Sequence, residues 1–75
     1  MDNTFNGWKN WATWNVALWI SNDYSLYSMA LECSNYSMLA GYLYGMDMNT
    51  TPDGAYYMDS DLDTAALDEL VAELA

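Results

Sequence analysis

The stretch from Gly7 to Asp23 constrains the fold more than any other part of the chain, because it holds all four tryptophans and the only basic residue, Lys9. A buried aromatic side chain removes roughly 150–250 Å² of surface from water. At about 25 cal/mol per Å², each tryptophan can add several kcal/mol to folding before entropy is subtracted. We therefore expect the indole rings to supply much of the core. The four are Trp8, Trp11, Trp14 and Trp19.

The length of 75 residues predicts a single domain, with residues 1–7 as a polar, flexible lead-in. A chain this short buries only about 60% of its unfolded surface, so its stability is marginal without a disulfide, a structural metal or a partner. Cys33 is the only cysteine and histidine is absent, so we predict no intramolecular disulfide, no metal site and no cofactor. A reducing, cytoplasmic setting follows, with an intermolecular disulfide through Cys33 as the alternative.

Charge is distributed unevenly along the chain. The formal net charge is −10, and eight of the eleven acidic residues lie from Asp47 onward. Direct binding to nucleic acid or to an anionic membrane is disfavoured, because either needs a basic surface. A partner protein with a basic surface is favoured, because the negative electrostatic field of the chain would steer its approach. No apolar run has the length of a signal peptide or a membrane span, so we expect neither.

Hydrophobic periodicity predicts a mainly α fold, a small bundle of about four helices. Asn10 is the expected N-cap of the first helix, whose apolar residues cover more than one stripe and so predict a central position. Gly41 and Gly45 have a GxxxG spacing, which predicts a close helix contact and a glycine C-cap at Gly45. The four predicted helices are roughly 11–21, 24–33, 36–44 and 62–74.

The segment 46–58 carries the weakest pattern. Thr51-Pro52-Asp53-Gly54 predicts a type I turn, with proline at the second position and glycine at the fourth. The flanking residues can pair as a short two-stranded β-ribbon, which would need to pack against the helices because an isolated ribbon is marginal in water. The ribbon and an irregular loop stay open as alternatives.

The last predicted helix begins in an acidic stretch. The helix macrodipole favours negative charge at a helix N-terminus, and Asp61 or Asp63 is the expected N-cap. We expect Asp68, Glu69 and Glu73 on the solvent-facing side of the helix. The stretch is a candidate acidic face for binding a partner. Its members are Asp59, Asp61, Asp63, Asp68, Glu69 and Glu73.

Part of this stretch also has the spacing of a calcium loop. Asp59, Asp61 and Asp63 occupy what would be its first, third and fifth positions. Thr64 then stands where the loop needs glycine, and Leu70 stands where it needs a bidentate glutamate. We therefore favour helix capping over cation binding.

No reaction can be read from the residues, since there is no histidine and no glycine-rich phosphate loop, and we predict that the protein is not an enzyme. The tryptophans have two interpretations, a small aromatic core or a partner-binding surface, where Trp, Tyr and Met are enriched. Seven tyrosines and six methionines accompany them. This is more large apolar surface than a short chain readily buries, so we expect at least one exposed patch.

Residues 10–23, Asn-Trp-Ala-Thr-Trp-Asn-Val-Ala-Leu-Trp-Ile-Ser-Asn-Asp, resemble the opening motif of a family of small uncharacterised proteins. These are carried by bacteriophages, cyanophages among them, and by plasmids. The tail is also similar to theirs, at Thr51-Pro52-Asp53-Gly54 and from Leu62-Asp63 to Leu67-Asp68-Glu69. The resemblance covers most of the chain and brings no active site. It implies an accessory protein of a mobile element, acting in the cytoplasm of an infected bacterium.

Two functions follow from these observations. The first is a small acidic protein that binds and inhibits a host nucleic-acid-handling protein, for anti-defence or host takeover, with carboxylates imitating the charge of phosphates. The alternative is a structural or regulatory interaction module. Such a module would form a homodimer or dock to another protein through its aromatic surface, and its acidity would serve only solubility.

Overall fold

Four α-helices make up most of the computed structural model, which describes residues 5–74. They are α1 (Trp11–Asn22), α2 (Tyr24–Leu31), α3 (Tyr36–Gly45) and α4 (Thr64–Leu74). Within residues 5–74, β structure is limited to two isolated antiparallel bridges, Phe5 with Trp8 and Thr50 with Tyr56. The prediction of a mainly α fold with about four helices is confirmed.

Every helix begins at a side chain that accepts a backbone N–H three residues later. A cap of this kind contributes about 1 kcal/mol to stability, because it satisfies an N–H that has no partner inside the helix. Asp63, rather than Asp61, caps α4. The four capping bonds, each from a backbone N–H to a side-chain oxygen, are Thr13 to Asn10 at 2.9 Å, Leu26 to Asp23 at 3.1 Å, Met38 to Asn35 at 2.9 Å and Ala66 to Asp63 at 3.2 Å.

Helix α2 ends two residues earlier than predicted. The N–H of Glu32 donates to the carbonyl of Met29 at 3.1 Å, and that of Cys33 donates to Ala30 at 3.0 Å. These three-residue spacings tighten the last turn into 3₁₀ geometry and end the helix. Cys33 nevertheless remains in the core, with 5% of its surface exposed.

The predicted glycine C-cap at Gly45 is wrong. The left-handed position after α3 belongs to Asp47, whose φ is 61°. Its N–H donates to Tyr44 at 3.1 Å and that of Met48 donates to Leu43 at 2.9 Å, the two bonds of a Schellman motif. The predicted close helix contact is wrong too, because a Cβ placed on Gly41 or Gly45 would meet no atom of another helix within 4 Å.

The predicted turn at 51–54 is confirmed, since Gly54 N–H donates to the carbonyl of Thr51 at 2.9 Å. The ribbon around it is not formed as a sheet. Its two arms exchange bonds close to the turn, from Thr51 N–H to Ala55 at 2.8 Å and from Tyr57 N–H to Asn49 at 3.0 Å. The segment is therefore a short loop with one bridge, folded against the helices.

Residues 5–8 form a tight turn in the stretch for which the composition predicts a flexible lead-in; residues 1–4 of that lead-in lie outside the described part. Phe5 and Trp8 exchange both backbone hydrogen bonds, at 2.7 and 2.8 Å. Asn6 and Gly7 between them have φ values of 49° and 89°, as a two-residue type I′ turn requires. The Phe5 ring lies 4.6 Å from that of Trp14, so the turn packs on α1.

The core is aliphatic with two tyrosines, and the indole rings lie at its edge. Helix α1 points a stripe of small or branched side chains inward, including Val16, Ala17 and Ile20. Trp11 is 41% exposed, and Trp8 and Trp19 pack against the core from outside while half-buried. The expectation that indoles fill the centre therefore differs from the structure. The largest fully buried side chains include Tyr36, Ile20, Leu39, Leu43 and Leu67.

Candidate functional site

A hydrogen-bonded network joins α1 to the turn at 51–54. Asn15 Oδ1 accepts the hydroxyl of Thr51 at 2.6 Å, and Asn15 Nδ2 donates to Asp53 Oδ2 at 2.9 Å. The same Asp53 oxygen accepts the indole Nε1–H of Trp19 at 2.9 Å. The bond from Asn15, and next that from Trp19, lowers the pKa of the Asp53 carboxyl. Asn15 and Trp19 lie one turn apart on α1, which lets both reach one carboxylate.

A second network joins the start of α1 to the start of α4. Asn10 Nδ2 donates to the carbonyl of Asp61 at 2.8 Å, and the Asp63 N–H donates to Thr13 Oγ1 at 3.1 Å. Thr13 in turn donates to Asn10 Oδ1 at 2.6 Å. Three polar residues of the tryptophan-rich motif, Asn10, Thr13 and Asn15, thus have structural partners. They connect α1 to two distant segments of the chain.

The predicted acidic face divides into two groups, and the first is used by the fold. Asp59 Oδ1 accepts the N–H of Asp61 at 2.8 Å, and Asp63 caps α4. Asp68 is half-buried and accepts the N–H of Tyr36 at 2.8 Å. The expectation that Asp68 faces solvent is wrong, because the first N–H groups of α3 need an acceptor and Asp68 supplies it.

The second group remains available at the surface. The side chains of Asp61, Glu69 and Glu73 are exposed, and the two glutamates lie one turn apart on α4. Carboxylates at that spacing repel each other weakly and together attract a cation. In the described part of the chain, no three His, Cys, Asp or Glu side chains come together as a metal site would require. The exposed acids are therefore suited to meeting a basic surface.

An apolar groove lies between the end of α3 and the loop that follows it. Its volume is about 320 Å³, and Ala40 and the buried Tyr57 form part of its lining. Its other apolar walls are among the most exposed large side chains, with Tyr44 at 65%, Tyr56 at 61% and Met58 at 58%. Tyrosine and methionine are typical of surfaces that bind proteins.

This groove is not among the candidate sites drawn from the sequence. The sequence signal for it is weak: Tyr56 and Met58 lie in a turn, where the Asp59 N–H donates to the Tyr56 carbonyl at 3.3 Å, so no regular alternation places them on one face. Tyr44 and Met48 also line it. Nothing in the sequence alone indicates that the two pairs meet. The tryptophans, which the sequence favours as an aromatic surface, contribute only Trp11 as a strongly exposed ring.

Over residues 5–74, no helix has both the length and the apolar character needed to cross a membrane. A protein-family model described as "Family of unknown function (DUF7249)" matches residues 1–46, more than half of the chain. That match includes all four tryptophans and the first three helices, α1, α2 and α3. No curated protein and no solved structure matches the chain.

Proposed function

We propose that this chain, which belongs to the DUF7249 family of unknown function, is a non-enzymatic protein that binds a basic surface of a nucleic-acid-handling host protein and inhibits it. The resemblance to proteins carried by phages and plasmids supplies the setting. In that setting the protein acts in the cytoplasm of a bacterium, for anti-defence or host takeover.

The observation that carries the proposal is the unbalanced negative charge at the surface. The formal net charge is −10 and Lys9 is the only cation in the sequence. Asp61, Glu69 and Glu73 are exposed in the C-terminal segment. A site that binds a nucleic-acid backbone attracts such a carboxylate array for the same electrostatic reason that it attracts phosphates. Glu32, Asp47 and Asp53 add further exposed carboxylates.

The nucleophile chemistry supports a non-enzymatic role. Cys33 is the only cysteine, and burial, with a smaller effect of the Glu32 charge, raises the pKa of its thiol. Its Sγ donates to the carbonyl of Met29 at 3.3 Å. A buried thiol with a raised pKa is a poor nucleophile, because the thiolate is the reactive form.

The test is capture of partners from bacterial lysate, with identification of the captured protein. We expect a protein that binds DNA or RNA, released by added duplex and by raising the salt concentration. The triple variant Asp61→Asn, Glu69→Gln, Glu73→Gln should lose it. Capture of the same protein by the triple variant, unchanged at high salt, would contradict the proposal.

A second candidate function is docking of another protein in the apolar groove beside the end of α3, called here the Tyr44–Tyr56 groove after two of its lining residues. The exposed tyrosines and methionines around this groove favour it, since such side chains are costly to leave in water. Self-association is disfavoured at low salt, because each copy carries the same −10 charge.

Paired variants separate the two functions. Tyr44→Ser with Tyr56→Ser should abolish binding if the groove docks the partner, and leave it unchanged if the exposed acids bind. The triple acidic variant should give the opposite pattern. Light scattering at low and high salt measures the oligomeric state. A dimer that forms only at high salt would assign the groove to self-association.

A further inference from the structure

A second cavity, which shares Met48 and Tyr57 with the lining of the Tyr44–Tyr56 groove, lies where the α1–α2 junction faces the segment 48–52. Its volume is about 470 Å³, within the range of sites that bind small molecules. Asp23 and Thr50 are polar residues of its lining, and Tyr57 lines it too, with its hydroxyl buried. The apolar walls include Trp19 and Met29.

The hydroxyl of Tyr57 is the unexplained group in this region. Tyr57 is 2% exposed, and among residues 5–74 no group lies within hydrogen-bond distance of its Oη. Its backbone carbonyl is occupied on the other side by the hydroxyl of Tyr36, at 2.6 Å. Burial, and then the charge of Asp23, raises the pKa of Tyr57. Native proteins rarely leave a buried hydroxyl unpaired.

The charge of the cavity selects the class of ligand. Asp23 is the only charged residue in the lining. Its Oδ1 caps α2 through Leu26 N–H at 3.1 Å, and one carboxylate oxygen remains for a guest. The Trp19 ring, held by Asp53, attracts cations through its face. An apolar stem fits against the methionine wall, because thioether side chains adapt their shape.

We propose that this cavity binds an ammonium or guanidinium group on an aliphatic stem. Asp23 pairs with the positive charge, and Tyr57 Oη, which is buried in this structure, accepts one N–H in the bound state. The guest is either a lysine or arginine side chain of a partner protein or a free alkylamine. The inference does not depend on the exposed acids of α4 being a binding face.

The test is a titration followed by amide and indole NMR signals, with the blocked lysine Nα-acetyl-lysine-N-methylamide, the corresponding arginine compound and free 1-pentylamine. Blocked norleucine is the neutral control of the same shape. We expect saturable shifts at Trp19 Nε1–H, Thr50 and Tyr57 with a cationic probe and none with norleucine. Binding of the blocked residues points to a partner side chain, and binding of pentylamine alone points to a free amine. Equal shifts with norleucine would overturn the proposal.

Matched variants remove one group at a time. Asp23→Asn keeps the N-cap, because asparagine caps as well as aspartate, and should weaken binding about tenfold. Asp47→Asn removes the same charge at an exposed residue outside the cavity and should change the affinity less than about twofold. Equal losses in the two variants would show only general attraction to an acidic protein and overturn the proposal.

Tyr57→Phe completes the set. It should weaken binding about threefold or more, because the guest loses an acceptor, without lowering the urea midpoint of the empty protein. Unchanged affinity in this variant would mean that water alone satisfies the hydroxyl, and the proposal would fail.

Discussion

Asn15 and Asp53 lie 38 positions apart in the sequence, yet the amide of one donates to the carboxylate of the other at 2.9 Å. Thr51 completes the contact by donating to Asn15 Oδ1 at 2.6 Å and accepting the N–H of Ala55 at 3.0 Å. Asn15 and Thr51 are buried, so their polar atoms depend on one another rather than on water. This contact fixes the 51–54 turn against α1.

Replacing Thr51 by valine keeps the shape of the side chain and removes the hydroxyl. Asn15 Oδ1 and the N–H of Ala55 then lose a buried partner, so we expect a loss of about 1–3 kcal/mol in the free energy of unfolding. Urea unfolding measures it. Thr64→Val, at the exposed first residue of α4, is the matched control. A loss in Thr51→Val no larger than in this control would contradict the account.

Stability should fall in acid partly through Asp53. Its folded-state pKa is lowered from 3.8 by the bonds from Asn15 and Trp19. The stabilisation is therefore present above the unfolded-state pKa and is lost as the pH falls through the lowered value. Asp53→Asn should be less stable at neutral pH and should lose less stability between about pH 5 and 2. Urea midpoints across this range test it, with Asp47→Asn as the control; parallel curves for wild type and Asp53→Asn would contradict it.

Alkaline pH should destabilise the protein through its two buried tyrosines. Burial is the larger cause of the raised pKa of both Tyr36 and Tyr57. A raised folded-state pKa contributes stability that is present below the unfolded-state value of about 10 and is lost as the pH rises. Tyr57→Phe should flatten the decline in urea midpoint above pH 10. Tyr24→Phe, at the most exposed of the large hydrophobic side chains, should not.

Asp68 should stabilise the contact between α3 and α4. Its Oδ1 accepts the N–H of Tyr36 at 2.8 Å, so Asp68→Ala leaves a helix N-terminal donor without its acceptor. We expect a loss of about 1–2 kcal/mol in the free energy of unfolding. The neighbouring exposed residue supplies the control, since Glu69→Ala should stay within about 0.5 kcal/mol. Similar urea midpoints for the two variants would rule out the interhelix role.

Two glycines should respond in opposite directions to alanine. Gly41 lies inside α3 with open space around it, so Gly41→Ala should raise stability by about 0.5–1 kcal/mol. Gly54 has a φ of 99°, and Gly54→Ala should cost about 1–2 kcal/mol for the strained backbone. Thermal unfolding of both variants tests the pair. Destabilisation by Gly41→Ala would contradict this expectation and support the close helix contact that the GxxxG spacing predicts.

Local patterns predicted local structure well. The cap at Asn10 and the turn at 51–54 are both present, because each depends on residues within one turn of one another. The Asn6–Gly7 turn carried an equally local signal in its Asn-Gly pair. The polarity of the stretch predicts a flexible segment, but the turn chemistry of this pair determines its structure.

The candidate sites were harder to predict because they depend on which distant groups need a partner. Composition indicates that the carboxylates are numerous, but the orphan N–H of Tyr36 determines that Asp68 is bonded while Glu69 is exposed. Likewise, periodicity does not indicate that the Trp19 indole is drawn to the edge of the core by Asp53.

The amino-acid order alone was enough to specify a charge of −10, the helical periodicity and the ends of most helices, since these depend on composition and on neighbours in the chain. Packing assigned the individual roles: aliphatic side chains lie at the centre and indoles at the edge. Of the six acids of the predicted acidic face, three are bonded by the fold and three lie in solvent. The reason is physical. Buried polar groups must find partners and side chains must fill space, and both conditions are met only when segments far apart in sequence come together.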